Sequence, residues 1–84
     1  MLKIERIFEG GGTRFHLSGE LRCADIEEVR TQIERISQQV VLDLAEVNVV
    51  DVDGVRWLTA CQAVGIRVEN CARYIREWML QEGI

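Results

Sequence analysis

Apolar positions along the chain shift between a period of two and a period of three to four, and the shifts mark out its elements. Leu2 to Phe8 predicts a strand, and Thr13 to Ser18 a second one in which Phe15 and Leu17 share a face. Between them Glu9 to Gly12 predicts a turn, with Gly10, Gly11 and Gly12 able to take positive φ, so the two strands form a hairpin. A phosphate-cradling glycine loop would instead lead from a strand into a helix. Asp25 followed by Glu28 marks a helix start, one side chain capping free amides and the other reaching back toward the cap. Ile26, Val29, Ile33 and Ile36 then recur at helical spacing, with Glu27, Glu28, Arg30, Glu34 and Arg35 left for water. Val40 to Leu44 is a short, almost unbroken apolar run, which predicts a central strand covered on both sides. Ala45 to Val50 carries the chain to Asp51, and a second helix runs from about Asp53 to Val64, ended by Gly65. Ile66 to Glu69 reads as a strand and Ala72 to Glu82 as a last helix with Ile75, Trp78 and Met79 on one side.

The order β-β-α-β-α-β-α is that of an α/β fold, a mixed sheet of about four strands covered by about three helices with right-handed crossovers between the later strands. Residues 1–84 are expected to form a single domain, because a chain this short buries only roughly 60 to 68% of its unfolded surface, enough for one sheet and its helices. At 48% hydrophobic and 29% charged residues the composition is globular, neither disordered nor fibrous. The net charge of −4 is interspersed with basic residues, which argues against a nucleic-acid partner. No window approaches the ~18 apolar residues of a membrane span. The start, MLKIERIFEG, carries charges where a signal peptide has its apolar centre, so a cytoplasmic location without membrane insertion is expected. Cys23, Cys61 and Cys71 are odd in number and irregularly spaced, fitting ordinary buried thiols better than disulfides or zinc ligands. His16, the only histidine, lies within a strand; neither a metal nor a cofactor is expected.

The stretch VVDVDGVRW, Val49 to Trp57, carries the candidate chemistry. Asp51 and Asp53 have the spacing of a phosphatase of the haloacid dehalogenase type, with Asp51 attacking a phosphoryl group, Asp53 as acid and base, and magnesium between them. That chemistry also needs a lysine and downstream carboxylates; beyond Gly54 there is no lysine and no aspartate, and Lys3 is the only lysine of the chain.

The run VVLDLAEVNVVDVDGVRWL places an aspartate, two residues, a glycine and a helix after a buried strand, and this arrangement resembles the STAS domain, the module of anti-sigma-factor antagonists and sulfate transporter tails. HLSGEL at residues 16 to 21 is similar to the family's strand that ends in a glycine before its first helix, and Gly65 with Asn70 to its next strand and loop. In antagonist members the loop reads Asp-Ser-Ser-Gly and an anti-sigma factor with kinase activity phosphorylates the second serine. That position is Asp53 here, so the resemblance implies that the usual switch is absent. A carboxylate at this place either caps the helix or imitates phosphoserine imperfectly, since phosphate carries about −1.5 to −2 charge. Arg56 is a second departure, standing where the family often has a small residue.

The resemblance implies a non-catalytic module that binds another protein through Asp51, Val52, Asp53, Gly54, Val55, Arg56 and Thr59. The partner would be an anti-sigma factor of the kinase-like kind, or a transporter subunit such as that of a lipid-transport ATPase. On the helix itself Arg56, Thr59, Gln62 and Ala63 are expected to face outward and Gly54, Trp57, Leu58, Cys61 and Val64 inward. Trp57 and Trp78 fit core packing. Nucleotide or lipid sensing near the helix start is the alternative, opposed by the charges of Asp51 and Asp53, and a homodimer along an open sheet edge is a further expectation.

Overall fold

Strand β1 (Leu2–Glu9) turns directly into β2 (Gly12–Leu21), and the pairing of Glu9 with Gly12 leaves a two-residue connection. Gly10 and Gly11 both have positive φ, 44° and 87°, as a hairpin turn that follows the strand twist requires. Gly12, expected to share that role, is instead the first residue of β2. Then follow α1 (Cys23–Glu34), β3 (Gln39–Val50), α2 (Val52–Ala63), β4 (Arg67–Glu69) and α3 (Arg73–Glu82). This is a computed structural model in which residues 1–36 and 38–82 are described.

The strands form one sheet in the order β1-β2-β3-β4, with β1 antiparallel to β2 and the other pairs parallel, the mixed α/β sheet expected from the periodicity. Phe15 and Leu17 of β2 and Leu42 and Leu44 of β3 are almost completely buried, as are Val29 of α1, Leu58 of α2 and Ile75 of α3. Each such side chain contributes about 1.5–3 kcal/mol by leaving water. The stripe on α1 is less deeply set: Val29 is buried, while Ile26, Ile33 and Ile36 pack half-buried against the core.

Three boundaries differ from the sequence expectation by more than a residue or two. Helix α1 starts at Cys23 with Arg22 at the N-cap, and Asp25 sits one turn in, where its carboxylate accepts the Arg22 backbone N–H at 3.1 Å. Asp25 therefore plays the reaching-back part that was expected of Glu28. Strand β2 runs on to Leu21 and β3 to Val50, past the expected ends at Ser18 and Leu44. Strand β3 contains two register shifts against β2, after Asp43 and after Val47, each inserting one extra residue. Such bulges break the alternation by which strands are recognised, so Ala45 to Val50 reads as a connector.

The central strand is also not covered on both sides. On the face away from the helices, Asp43 is 9% exposed and is enclosed by polar groups of β2, of β3 itself and of Asn70 just after β4. Its Oδ1 accepts the Ala45 backbone N–H and the Asn70 side-chain amide, each at 3.0 Å. Its Oδ2 lies 3.4 Å from both Arg14 Nη1 and His16 Nδ1. Asn70 reaches it from a left-handed backbone conformation, φ 58°, which asparagine tolerates better than most residues. Arg14 also pairs with Glu69 of β4 at 3.0 Å, so the cluster ties β2, β3 and β4 together. Burial pushes the Asp43 pKa up, but the hydrogen bonds from Asn70, Ala45 and His16 outweigh it and hold the carboxyl below its ordinary range.

Replacing Asp43 by alanine leaves these donors without their acceptor and is expected to lower unfolding stability by about 2–4 kcal/mol. Urea denaturation measures this directly, and a loss below about 0.5 kcal/mol, the range of ordinary surface substitutions, would contradict the assignment.

Candidate functional site

The end of β3 lies beside the end of β2, with Val50 paired to Leu21, so the two strands deliver α2 and α1 side by side. Each helix begins with amides that lack an intrahelical partner and with the positive end of its dipole. Asp51 stands between them. Its Oδ1 accepts the Gly54 N–H at 2.8 Å, and its Oδ2 accepts the Cys23 N–H, the first residue of α1, at 2.9 Å. One carboxylate thus caps its own helix and secures the start of the neighbouring one, 28 residues earlier in the chain. The Cys23 amide is the largest influence holding the Asp51 pKa below its ordinary range; burial opposes it and the Gly54 amide adds to it.

The cap of α2 is therefore Asp51, and Asp53, a cap candidate in the sequence, lies within the first turn of the helix. Its side chain is exposed and forms no ion pair among the described residues. Its charge is still felt locally. It is the main cause of a raised pKa at the exposed Cys23 thiol, with burial and Asp51 adding to the effect. Cys23 is thus not the buried thiol expected of it, whereas Cys61 is buried, with its pKa pushed up to about 11 by burial, and Cys71 is half-buried.

Gly54 is buried where the helix start meets the end of β2: a Cβ added to it would lie 2.7 Å from the Leu21 carbonyl oxygen. Val55 is fully buried in the core. Of the expected contact residues, Gly54 and Val55 thus belong to the support of the site, and the surface is left to Val52, 37% exposed, to Asp53 and to Arg56. The Arg56 guanidinium is held by Glu82 of α3 at 2.8 Å. Thr59 is half-buried, its hydroxyl donating to the Val55 carbonyl at 2.9 Å. Gln62 and Ala63 are exposed as expected, and Trp57 and Trp78 pack half-buried against the core. Val64, expected to face inward, is 77% exposed just beyond the last turn.

Asp51→Ala should cost about 2–3 kcal/mol, a lost N-cap plus an orphaned amide on α1, whereas Asp53→Ala should cost a few tenths. Equal losses in urea titrations would refute the assignment. Because the folded-state pKa of Asp51 is depressed, its contribution is fully present above the ordinary carboxylate pKa of about 4 and disappears as pH falls through the lower folded value. Stability measured from pH 6 downward should accordingly fall less steeply in Asp51→Asn than in the parent chain.

Among the described residues no group of three or more His, Cys, Asp or Glu side chains is placed to hold a metal ion, and no helix is long and apolar enough to cross a membrane. No curated protein matches the sequence. Among solved structures the crystal structure of Mglu is similar, with a TM-score of 0.67 and 31% sequence identity over 82% of this chain, which spans 20% of that one. A family profile described as STAS domain matches residues 3–80. With nearly its whole length matched, and with the element order, mixed sheet and aspartate-capped second helix described above, the chain belongs to the STAS domain family.

Proposed function

We propose that this STAS domain is a non-catalytic docking module of the anti-sigma-factor-antagonist kind, working in the cytoplasm, and that it meets its protein partner with the start of α2. The supporting observation is the division of labour between the two aspartates. Asp51 has both carboxylate oxygens engaged by backbone amides, while Asp53 two residues on projects into solvent beside Val52. A nucleophilic carboxylate needs an oxygen free to attack, so the same arrangement counts against phosphoryl transfer at Asp51. It also counts against capture of a nucleotide phosphate, since a carboxylate already occupies the anion position of two helix starts.

The contact surface consists of Val52, Asp53 and Arg56, supported from beneath by Gly54 and Val55 and bounded by Thr59. Asp53 gives it a fixed negative charge where antagonist relatives carry a serine that is phosphorylated and dephosphorylated. The module is therefore constitutive at this position, and its regulation lies in its supply or in its partner.

Two measurements test this. Binding to a purified anti-sigma factor from the same cell, followed by calorimetry, should weaken about tenfold or more in Val52→Asp, because a buried apolar contact is replaced by a second charge. The fold, monitored by circular dichroism, should stay intact. Incubation with that anti-sigma factor and ATP should leave the peptide Val49 to Ala60 at its unmodified mass; a phosphate on Thr59 would move the switch to that residue.

A further inference from the structure

Helices α1 and α2 lie with their starts together, Cys23 beside Asp51, and their ends together, where Ile33 and Val64 line the same groove. The groove has a volume of about 380 Å³. Its floor and walls are apolar, formed chiefly by Ile33, Trp57, Cys61, Val64 and Ile66, and Ala60 keeps it open because its side chain is a single methyl. It is a trough open to solvent. Such a shape suits apolar side chains of a partner that stays largely outside, whereas small-molecule pockets enclose most of their ligand.

The charges along this trough select among occupants. Glu34 belongs to the lining at the lower end, and Asp53, next to Cys23, stands one helical turn before Trp57, beyond the upper end of the lining. Neither forms an ion pair among the described residues. Arg30, the one cation of the lining, is engaged by Glu27 within α1, and Arg56 of α2 by Glu82. An apolar trough with one anion at its lower end and another a helical turn beyond its upper end repels an anionic lipid surface or a fatty-acid carboxylate and attracts a segment that is apolar on one side and basic at its ends.

We infer that the trough between α1 and α2 receives an amphipathic basic helix of the partner protein, with its apolar stripe against Trp57, Cys61 and Ile33 and its cations at Asp53 and Glu34. This inference rests on the docking role of α2 and extends it from the start of the helix along its α1-facing side. Helix-in-groove recognition of this type is read through anchors at i, i+3/i+4 and i+7. Along α2 the lining runs from Trp57 through Ala60 and Cys61 to Val64 just past the helix end, seven steps or about 10 Å at the helical rise of 1.5 Å per residue, which is the length of an i to i+7 stripe.

The probe is a synthetic helical peptide with leucines at i, i+4 and i+7 and lysines at both ends, tested against a twin with glutamates in place of the lysines. In a Trp78→Phe background, Trp57 is the sole tryptophan and reports filling of the trough by its fluorescence. The lysine peptide is expected to shift that emission and to bind more weakly as salt rises, while the glutamate peptide is inert. Asp53→Lys and Glu34→Lys should each weaken binding of the lysine peptide about two- to fivefold, the range for exposed charge contacts. Ala60→Phe, a substitution at an exposed position, should abolish binding by filling the trough. Equal binding of both peptides, an unchanged emission, or undiminished binding by Ala60→Phe would overturn the inference, as would a preference for anionic phospholipid vesicles over the lysine peptide. If Val52→Asp impairs the anti-sigma factor while the lysine peptide fails to bind, only the helix inference falls. If the peptide binds and Val52→Asp changes nothing, the assignment of the helix start as the docking point falls instead.

Discussion

The Asp51 carboxylate is the constraint on which the candidate surface depends. Two parallel neighbouring strands end at the same level, and each passes directly into a helix, so two sets of unpaired amides and two positive dipole ends face each other across a few ångströms. A single negative charge between them satisfies a donor from each helix. The backbone around it is equally tight. The Asp51 N–H points to the Leu21 carbonyl at 3.4 Å, and the same carbonyl leaves no space for a side chain at position 54. The start of α2 is thereby fixed to the sheet from below, and whatever Val52 and Asp53 present outward is presented rigidly.

Asp43 performs a comparable task on the opposite face. It fills the acceptor needs of a bulged strand, of a left-handed asparagine and of two basic side chains from the adjacent strand. The bulges bring β3 to Asp51 by a longer path than a regular strand would take, and Asp43 is bonded to the first of them through the Ala45 amide. Both aspartates have pKa values pulled below the ordinary range by the donors around them. The fold therefore places its fixed anions at points where the backbone itself is short of acceptors, and Asp53 differs from both in having no such employment.

Much of this was legible in the sequence because the hydrophobic spacing of β1, β2, α1 and α2 is regular and the glycines stand at the ends of elements. Phe15 and Leu17, Val29, Leu58 and Ile75 needed only their periods to be recognised as core. The second half of β3 was not legible, because two inserted residues disturb its alternation. Nor was the identity of the cap: DVDG offers two aspartates at neighbouring positions, and both are sensible caps by residue type. The choice is made by the Cys23 amide and the Leu21 carbonyl, contributed by a distant part of the chain, so local sequence carries no sign of it. The burial of Val55 against the exposure of Val64 has the same origin, since it depends on where the helix begins and on which flank lacks a neighbour.

The outer strand of the hairpin stands apart from this economy of contacts. Among the eight residues of β1 only Leu2 and Ile4 are even half-buried, and Phe8 remains 73% exposed, so the strand is held mainly by its ladder to β2. Local opening is least opposed where buried apolar area is smallest. β1 can consequently peel from its neighbour while the three parallel strands and the aspartate-joined helices persist, which makes the domain a firm three-stranded body with a detachable margin.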